Sequence, residues 1–242
     1  MKRFQCIPSV NEEGGFIISA NTLQSNPDGV FMLVSFDVSK FMDNLYQRLG
    51  ISFTEEIASS VIKRRAECLA GRYVAKLALE RLGFFKCDIE SDERRCPLWP
   101  IGIVGSISHA KNKALCAVWR TTHTDTIGID IEYWIAPYIC SALEAQAADR
   151  TECDLLAACG LTYHKALTLL FSAKESVFKA LYPKVGYYFD FSAIRLAAID
   201  TEAHMLIFVV NRMLGPYRKG FALSAAYKIF TGGVIVLVRI GN

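Results

Sequence analysis

The sequence lacks most of the patterns that place a chain in a familiar class at once. Its eight cysteines form no Cys-x-x-Cys pair and no cysteine–histidine spacing typical of a zinc site. The longest clean apolar runs, such as residues 234–238, are much too short to cross a bilayer. The chain has no low-complexity tract and no repeat with a period of about 20 to 50 residues. These absences exclude a zinc module, a membrane-spanning helix and a repeat protein.

Several active-site signatures are also missing. The chain has no G-x-x-x-x-G-K-[ST] loop, no G-x-G-x-x-G fingerprint and no H-E-x-x-H zinc motif. A Ser-His hydrolase is not supported, because residues 105–108 do not form a G-x-S-x-G elbow and adjacent side chains on a strand point apart. The net charge of +3 is too small to indicate a nucleic-acid-binding protein, which usually carries a clustered basic stripe.

The composition favours a protein with a substantial core inside the cell. Hydrophobic residues make up 52% of the 242 positions, enough for one large domain or two small ones. Lys2 and Arg3 begin the chain, but no apolar stretch follows them, so we expect no signal peptide. Several cysteines lie in apolar stretches, which is typical of reduced thiols in a cytoplasmic protein.

The residue pattern predicts an α+β fold in which each half of the chain has one long helix and several strands. The first helix starts after the N-cap Thr54 and ends near Leu82, and the second covers about residues 163–181 and ends before Pro183. Residues 87–100 are predicted to form a surface loop. Strands are expected at residues 31–37, 114–120, 127–132, 187–196, 205–210, 221–230 and 234–240.

Two acids on one predicted strand are candidate metal ligands. Asp130 and Glu132 are two residues apart, so their side chains point to the same face. Mg²⁺ prefers oxygen ligands and keeps water and substrate phosphate in its remaining positions. Two acids on a solvated strand face are the commoner case, but the apolar Ile127, Ile129 and Ile131 fix the direction in which the acids point. Both readings remain open from this pattern alone.

A third acid and a lysine share one face of the second predicted helix. Glu175 and Lys179 are separated by one helical turn, and a surface ion pair of this kind is worth only a few tenths of a kcal/mol. The apolar neighbours Phe171, Val177 and Phe178 indicate that much of this helix is buried, so the pair is less typical of a plain surface contact.

Candidate anion-binding residues lie earlier in the chain. Arg64 and Arg72 are eight residues apart on the first predicted helix, which places them about 80° apart around its axis. Both can therefore face one anion, although a basic helical face without a ligand is the alternative. His109 follows Ser108 at the end of a glycine-containing turn, where a single histidine is more often structural.

Four short blocks, in this order, resemble the 4′-phosphopantetheinyl transferases, of the branch that contains enterobactin synthetase component D. They span roughly residues 60 to 183, about half of the chain, and none is diagnostic alone. The blocks are Arg64-Arg65-Ala66-Glu67 with Gly71-Arg72; Pro97-Leu98-Trp99-Pro100 leading into Gly105-Ser106-Ile107-Ser108-His109; Gly128-Ile129-Asp130-Ile131-Glu132; and Phe171-Ser172-Ala173-Lys174-Glu175-Ser176-Val177-Phe178-Lys179.

The resemblance implies a fold of two similar α/β lobes related by a pseudo-twofold, at residues 1–121 and 122–242, with the site in the cleft between them. It implies that Mg²⁺, or Mn²⁺ in its place, supports transfer of 4′-phosphopantetheine from coenzyme A to a serine of an apo carrier protein. The carrier would be a peptidyl, aryl or acyl carrier, and 3′,5′-ADP would be released. The implied setting is siderophore or other secondary-metabolite biosynthesis, by a cytoplasmic monomer with neither nucleic-acid nor membrane partners.

The resemblance also assigns roles to individual residues. The metal would be held by three carboxylates, of which Glu175 is also the candidate general base, directly or through bound water: Asp130, Glu132 and Glu175. Coenzyme A would be contacted by a set of cations and hydrogen-bonding residues, of which Lys179 is also placed in the catalytic group: Arg64, Arg72, Arg95, Ser108, His109, Lys174 and Lys179.

Two features depart from the family pattern, and two other functions stay open. Cys68 stands where an aromatic or aliphatic residue is usual, and residues 133–163 have no counterpart that can be assigned. One alternative is a non-catalytic module that binds coenzyme A or an acidic partner, which would not need three carboxylates. The other is a different metal-dependent phosphoryl-transfer enzyme or a nuclease, which would act without coenzyme A.

Overall fold

The computed structural model describes residues 5–6, 14–85, 87–121 and 125–241. It divides the chain into two compact units, Met1–Thr124 and Asp125–Asn242, called the first and second unit below. Most of residues 1–13, where we expect no signal peptide, lie outside the described residues, and so do residues 122–124 at the predicted junction. Among the described residues, the seven cysteines from Cys68 onward are free thiols, of which Cys116 is buried and the other six are partly exposed.

The first unit combines one long helix with an antiparallel sheet. The sheet runs in the order β1 (Gln5–Cys6), β2 (Ile17–Ser25), β3 (Gly29–Phe36), β5 (Lys113–Arg120) and β4 (Ile103–Ala110). The short helices α1 (Asn44–Leu49) and α2 (Glu55–Ala58) precede α3 (Ile62–Arg81), which packs against β3, β4 and β5. Fully buried Leu69 and Val74 of α3 belong to the same core as Val34 and Val118 of the sheet.

The predicted first helix is interrupted near its start. Thr54 caps α2 as expected, because its side chain accepts a hydrogen bond from the Ile57 amide at 3.4 Å. The helix stops after Ala58 and α3 begins at Ile62. The hydroxyls of Ser59 and Ser60 both donate to the Glu56 carbonyl, at 2.8 and 3.2 Å, and so compete with the helical hydrogen-bond ladder. This break sets where α3, with its arginines, begins.

Three strands of the first unit were not predicted from the sequence. They are β1, β2 and β4, and the segment before His109 is a strand rather than a turn. In β4, glycine and two serines take the place of the branched residues typical of strands. The strand is specified by its partner: Ser106 pairs with Ala117 and Ser108 with Leu115 of β5.

The second unit repeats the combination of a long helix and an antiparallel sheet, which confirms the predicted α+β class. The sheet runs in the order β6 (Thr126–Tyr133), β10 (Gly233–Ile240), β9 (Ala222–Phe230), β8 (Met205–Val210) and β7 (Ile194–Asp200). The long helix is α6 (Tyr163–Val185), which packs against β6, β10 and β9. Residues 133–163 contain two more helices, α4 (Cys140–Ala147) and α5 (Arg150–Ala157).

The end of α6 differs from the prediction. The helix does not end before Pro183 but continues to Val185, and it stops at Gly186 in the left-handed region with φ 77°. A proline in the last turn removes only one intrahelical hydrogen bond, so the helix tolerates it. Most of the predicted strand at 187–196 is also wrong, because β7 begins only at Ile194 and residues 187–193 are not a strand. Residues 191–193 form a 3₁₀ turn, capped by the Asp190 side chain, which accepts from the Ser192 amide at 2.9 Å.

Within the described residues, the structure contains no helix that is both long enough and apolar enough to span a membrane.

Candidate active site

In the first unit, α3 and β4 bring Arg64, Glu67 and His109 together. The Arg64 Nη1 atom lies 3.1 Å from Nε2 of His109, and Nδ1 of His109 lies 3.8 Å from the Glu67 carboxylate. A guanidinium can only donate, so Nε2 accepts and the imidazole proton sits on Nδ1, facing the acid. Glu67 is 8% exposed, and its carboxylate lies within ion-pair distance of the ring. The predicted Arg64 and His109 are therefore neighbours, and Glu67 is a member of this group that the sequence reasoning missed.

Arg72 presents an unused donor. Its Nη2 atom donates to the Ser91 hydroxyl, while Nη1 is buried with no hydrogen-bond partner among the described residues. A buried donor without an acceptor costs about 1–3 kcal/mol, and more when it is charged. An anionic ligand would supply the missing acceptor. Ser91, which holds the other end of the guanidinium, gives no signal in the sequence.

Ser108 and Arg95, the other residues of the first unit predicted to contact coenzyme A, differ in their surroundings. Ser108 lies on β4 and is 5% exposed. Arg95 is exposed and has a left-handed backbone, with φ 65°. Its guanidinium Nε lies 2.8 Å from the Glu56 carboxylate on α2. Both partners are well exposed, and an ion pair of this type is weak enough to be exchanged for a phosphate.

In the second unit, β6 and α6 build a polar group around Asp130. This carboxylate is 3% exposed, and both of its oxygens accept hydrogen bonds. Oδ1 accepts from Lys179 Nζ at 2.7 Å and Oδ2 accepts from the Ser172 hydroxyl at 2.8 Å. Lys179 also donates to the Ile129 carbonyl at 3.1 Å. Asp130 and Lys179, predicted from separate blocks, are thus in direct contact, and Ser172 is an additional member.

Gly128 determines how closely α6 approaches β6. A Cβ atom at this position would lie 1.8 Å from the Ser176 carbonyl oxygen and 2.6 Å from the Ala180 amide nitrogen. Any side chain would therefore push the helix away from the strand. The close approach is what brings Lys179 to Asp130 and Ile129. A glycine inside a strand of branched residues is a signal for such an approach.

Glu175 lies in the electrostatic field of the same group. Burial raises the pKa of Glu175 above its ordinary value; the Lys179 ammonium opposes this shift and the negative charge of Asp130 adds to it. Two carboxylates therefore repel each other here, and a further cation would relieve the repulsion. Glu132, two residues after Asp130 on β6, is half-buried.

The predicted three-carboxylate metal site is not assembled in this arrangement. Across residues 14–85, 87–121 and 125–241, no group of three or more His, Cys, Asp or Glu side chains is placed to hold a metal ion. The Lys179 ammonium instead lies on Oδ1 of Asp130 and neutralises it.

Lys174 has a different environment from the one predicted. It is 2% exposed, and its Nζ atom lies 2.7 and 2.8 Å from the two carboxylate oxygens of Glu152 on α5. Glu152 is itself 1% exposed and accepts from the amides of Leu196, at 2.8 Å, and Asp149, at 2.9 Å. Burial lowers the pKa of Lys174, and the Glu152 carboxylate opposes the shift. This placement argues against the predicted contact with coenzyme A: the pair joins α5, α6 and β7.

Two family models match the chain. The 4′-phosphopantetheinyl transferase N-terminal domain matches residues 53–119, and the 4′-phosphopantetheinyl transferase superfamily matches residues 126–224. The first match contains Arg64, Arg72 and His109, and the second contains Asp130, Glu175 and Lys179. Both groups of polar residues thus fall within matched segments.

The chain is also similar to named proteins. It is 38% identical over 153 residues to enterobactin synthase component D of Salmonella typhi, covering 63% of this chain and 62% of that protein. It is 40% identical over 147 residues to the protein of that name from Escherichia coli strain K12, covering 61% and 68%. It is 36% identical over 167 residues to the 4′-phosphopantetheinyl transferase Svp of Streptomyces mobaraensis, covering 67% of each.

These matches define the family. The chain belongs to the 4′-phosphopantetheinyl transferases, and its relatives include enterobactin synthase component D proteins. The similarity to the Salmonella typhi protein spans a little less than two thirds of the length of that relative.

Proposed function

We propose that this protein transfers the 4′-phosphopantetheine group of coenzyme A to a serine hydroxyl of an apo carrier protein. The observation that carries the proposal is the polar group on β6 and α6, in which buried Asp130 accepts from Lys179 beside the raised-pKa Glu175. Because several relatives are named enterobactin synthase component D, we further propose that the carrier belongs to siderophore assembly. The cytoplasm is the compartment in which coenzyme A and such a carrier would meet.

The cations of the first unit would hold coenzyme A. Arg72 has a buried N–H without an acceptor among the described residues, and an oxygen of the 3′-phosphate would satisfy it. Arg64 and His109 would bind the 3′-phosphate: its oxygens would replace Nε2 of His109 as the acceptor for Arg64, and His109 would donate to them once a proton is on Nε2. Ser108 and Arg95 are proposed to contact the remaining phosphates, and Arg95 would exchange Glu56 for one of them.

The carboxylates of the second unit are proposed to hold a divalent cation once Lys179 leaves Oδ1 of Asp130. Repulsion between Asp130 and Glu175 would be relieved by Mg²⁺ or Mn²⁺, and carboxylate oxygens are the ligands such ions prefer. Asp130, Glu132 and Glu175 would hold the ion. When bound, it would polarise the phosphoryl oxygens and neutralise charge on the pyrophosphate.

Glu175 and Lys179 would accept the serine proton and stabilise the charge of the leaving group, respectively. The serine oxygen forms a bond to the phosphorus that carries phosphopantetheine, and the bond from that phosphorus to the bridging oxygen breaks. The electron pair leaves with 3′,5′-ADP, whose charge Lys179 would stabilise. The serine proton would pass to Glu175 or to a water molecule that it orients. A raised pKa makes Glu175 a stronger base than an exposed glutamate.

The transfer itself is tested by mixing the purified chain with coenzyme A, Mg²⁺ and a panel of apo carrier proteins. Intact-mass analysis should show one added phosphopantetheine group per carrier, and chromatography should show an equal amount of 3′,5′-ADP. A carrier with its acceptor serine replaced by alanine is the control. Binding of coenzyme A without any transfer would support a binding module instead, and cleavage of nucleotides without a carrier would support another phosphoryl-transfer enzyme.

We expect Arg72→Ala and His109→Ala to weaken the use of coenzyme A much more than that of 3′-dephospho-coenzyme A. Each side chain is assigned to the phosphate that the analogue lacks. A charge-assisted hydrogen bond contributes about 1.5–3 kcal/mol, so KM for coenzyme A should rise by roughly 10- to 150-fold. Steady-state kinetics with both donors measures the ratio.

Arg81→Ala is the matched control for these two variants, because Arg81 is an exposed arginine in the last turn of the same helix. It should leave both donors unaffected. An equal loss with coenzyme A and its 3′-dephospho analogue would remove Arg72 and His109 from phosphate binding and assign them to the fold.

Glu175→Gln should raise the melting temperature at neutral pH when Mg²⁺ is absent. A carboxyl whose pKa is raised in the folded protein ionises less easily there than in the unfolded chain. Wild-type stability therefore falls as pH rises from the ordinary value of 4.5 through the folded pKa, and glutamine does not share this loss. Thermal melts from about pH 4 to pH 8 should show a difference that vanishes at the acid end.

Adding Mg²⁺ should then stabilise the wild type more than Glu175→Gln, because the ion binds only the folded site. Glu93→Gln replaces an exposed acid of the first unit and serves as the control. If both variants melt like the wild type across the pH range and respond equally to Mg²⁺, Glu175 is an ordinary solvated acid and not a ligand.

A further inference from the structure

A second charged surface of the second unit lies where α6 ends, on residues that the proposed chemistry does not use. It combines three exposed cations with three exposed apolar or aromatic side chains: Lys184, Arg218, Lys219, Tyr187, Tyr188 and Met213. These six residues are called the basic–aromatic patch. They come from two segments, 184–190 and 211–219.

Direct contacts join the two segments into one surface. The Gly215 amide donates to the Tyr187 hydroxyl at 3.3 Å. A Cβ atom at Gly215 would lie 3.0 Å from Cα of Val185, so the 211–217 turn rests against the last turn of α6. On the other side, Arg212 lies 3.6 Å from the carboxylate of Asp190. The patch is therefore a continuous part of the second unit and not two separate loops.

The aromatic and apolar side chains of the patch are unusually exposed to solvent for hydrophobic residues. Tyr188 is 78% exposed, Met213 67% and Tyr187 50%. The Tyr188 ring nevertheless packs against Phe178, with ring centroids 5.8 Å apart, so it is held in position. Exposed aromatic side chains that the core anchors in this way are typical of binding surfaces, because little side-chain entropy is lost on contact.

The two segments of the patch carry an excess of positive charge. The two segments contain four cations, Lys184, Arg212, Arg218 and Lys219, and one acid, Asp190. Their net charge of +3 equals that of the whole chain, so the other residues are neutral in sum. A partner that fits this surface is acidic and carries apolar side chains.

We propose that the basic–aromatic patch is a docking surface for an acidic, amphipathic segment of the carrier protein. This inference rests on the proposed transfer to a carrier. Tyr, Met and Arg are enriched in protein–protein interfaces. The three cations of the patch, or four with Arg212, are few for binding driven by nucleic-acid phosphates, which typically needs about six to ten contacts. Lys184 follows Lys179 by five residues on α6, a rise of about 8 Å and a rotation of about 140°, so the patch begins between one and two helical turns beyond Lys179 and on a different side of the helix.

The size of the patch fits a transient partner. Stable interfaces bury about 800 Å² and about 20–30 residues on each side. Segments 184–190 and 211–219 contain fewer residues than that. A carrier must leave after each transfer, so modest affinity with charge steering is the expected combination.

The double variant Arg218→Glu/Lys219→Glu tests the proposal. KM for the apo carrier should rise by about 10-fold or more, while kcat at saturating carrier and KM for coenzyme A stay unchanged. The control is Lys40→Glu/Arg150→Glu, which makes the same change in net charge at exposed positions outside both segments. Added salt should raise the wild-type KM for the carrier and affect the double variant much less. A carrier whose acidic residues are replaced by lysine should restore KM with the double variant.

Other outcomes distinguish a failure of the docking surface from a failure of the proposed function. Transfer by the wild type with an unchanged KM in Arg218→Glu/Lys219→Glu would overturn the docking surface and leave the proposed function standing. No transfer to any carrier by the wild type would overturn both. Loss of binding to an RNA oligonucleotide or to anionic vesicles in the double variant, with KM for the carrier unchanged, would assign the patch to that partner instead. Melting curves establish that each variant is folded.

Discussion

Asp130→Ala should reduce transfer by about 100-fold or more, with little change in the affinity for coenzyme A. The substitution removes a proposed metal ligand that both Lys179 and Ser172 hold in place. It also leaves the Lys179 ammonium beside the strand without the carboxylate that neutralises it. kcat should therefore fall at every Mg²⁺ concentration, and the concentration of Mg²⁺ needed for half-maximal rate should increase. Steady-state kinetics over a Mg²⁺ series measures both.

Ser172→Ala is the matched control for this variant, because it removes one hydrogen bond to Asp130 and keeps the carboxylate. It should cost much less than the loss of Asp130. Asp130→Asn keeps the size of the side chain and separates charge from packing. Near wild-type rates for Asp130→Ala at limiting Mg²⁺ would show that Asp130 is not a ligand and would reduce the group to an ion pair between strand and helix.

Glu152→Ala should lower the free energy of unfolding by about 3–5 kcal/mol. The change leaves the Lys174 ammonium buried without its partner, at 2% exposure, and takes an acceptor from the Leu196 and Asp149 amides. Urea unfolding with two spectroscopic probes measures the loss. The double variant Glu152→Ala/Lys174→Met should recover part of it, because a methionine side chain is buried at far lower cost than an unpaired charge.

The single variant Lys174→Met distinguishes a structural role of Lys174 from a contact with coenzyme A. Lys174→Met should destabilise the fold and leave KM for coenzyme A unchanged at temperatures where the protein stays folded. An increase in KM for coenzyme A without loss of stability would support the contact predicted from sequence and contradict the structural role.

The sequence was most informative where apolar residues are dense or regularly spaced. The strands that became β8, β9 and β10 were predicted because they are rich in branched and other apolar residues, and most of the two long helices because one side of each is apolar. Strand β4 was not predicted, because its glycine and serines carry no strand preference and its pairing with β5 is set by the tertiary fold.

The site was predictable residue by residue but not contact by contact. The pairs Arg64–His109 and Asp130–Lys179 combine residues that were identified from different blocks. Lys174 and Glu175 are adjacent, and successive helical residues point about 100° apart, so one faces Glu152 and the other the group around Asp130. Nothing local in the sequence indicates that an acid 22 residues away holds Lys174.

The contact at Gly128 has a mechanical consequence. Where a side chain separates two elements, a change of rotamer can absorb small errors in their spacing, but main chain resting on main chain has no such adjustment. The spacing between β6 and α6 therefore cannot change without a movement of the main chain. Stiffness matters here because Coulomb energy scales inversely with separation: widening the 2.7 Å contact between Asp130 and Lys179 by about 1 Å would weaken it by about a quarter. The absence of a side chain at Gly128 thus sets the distance between β6 and α6, and with it the strength of the charge interactions between them.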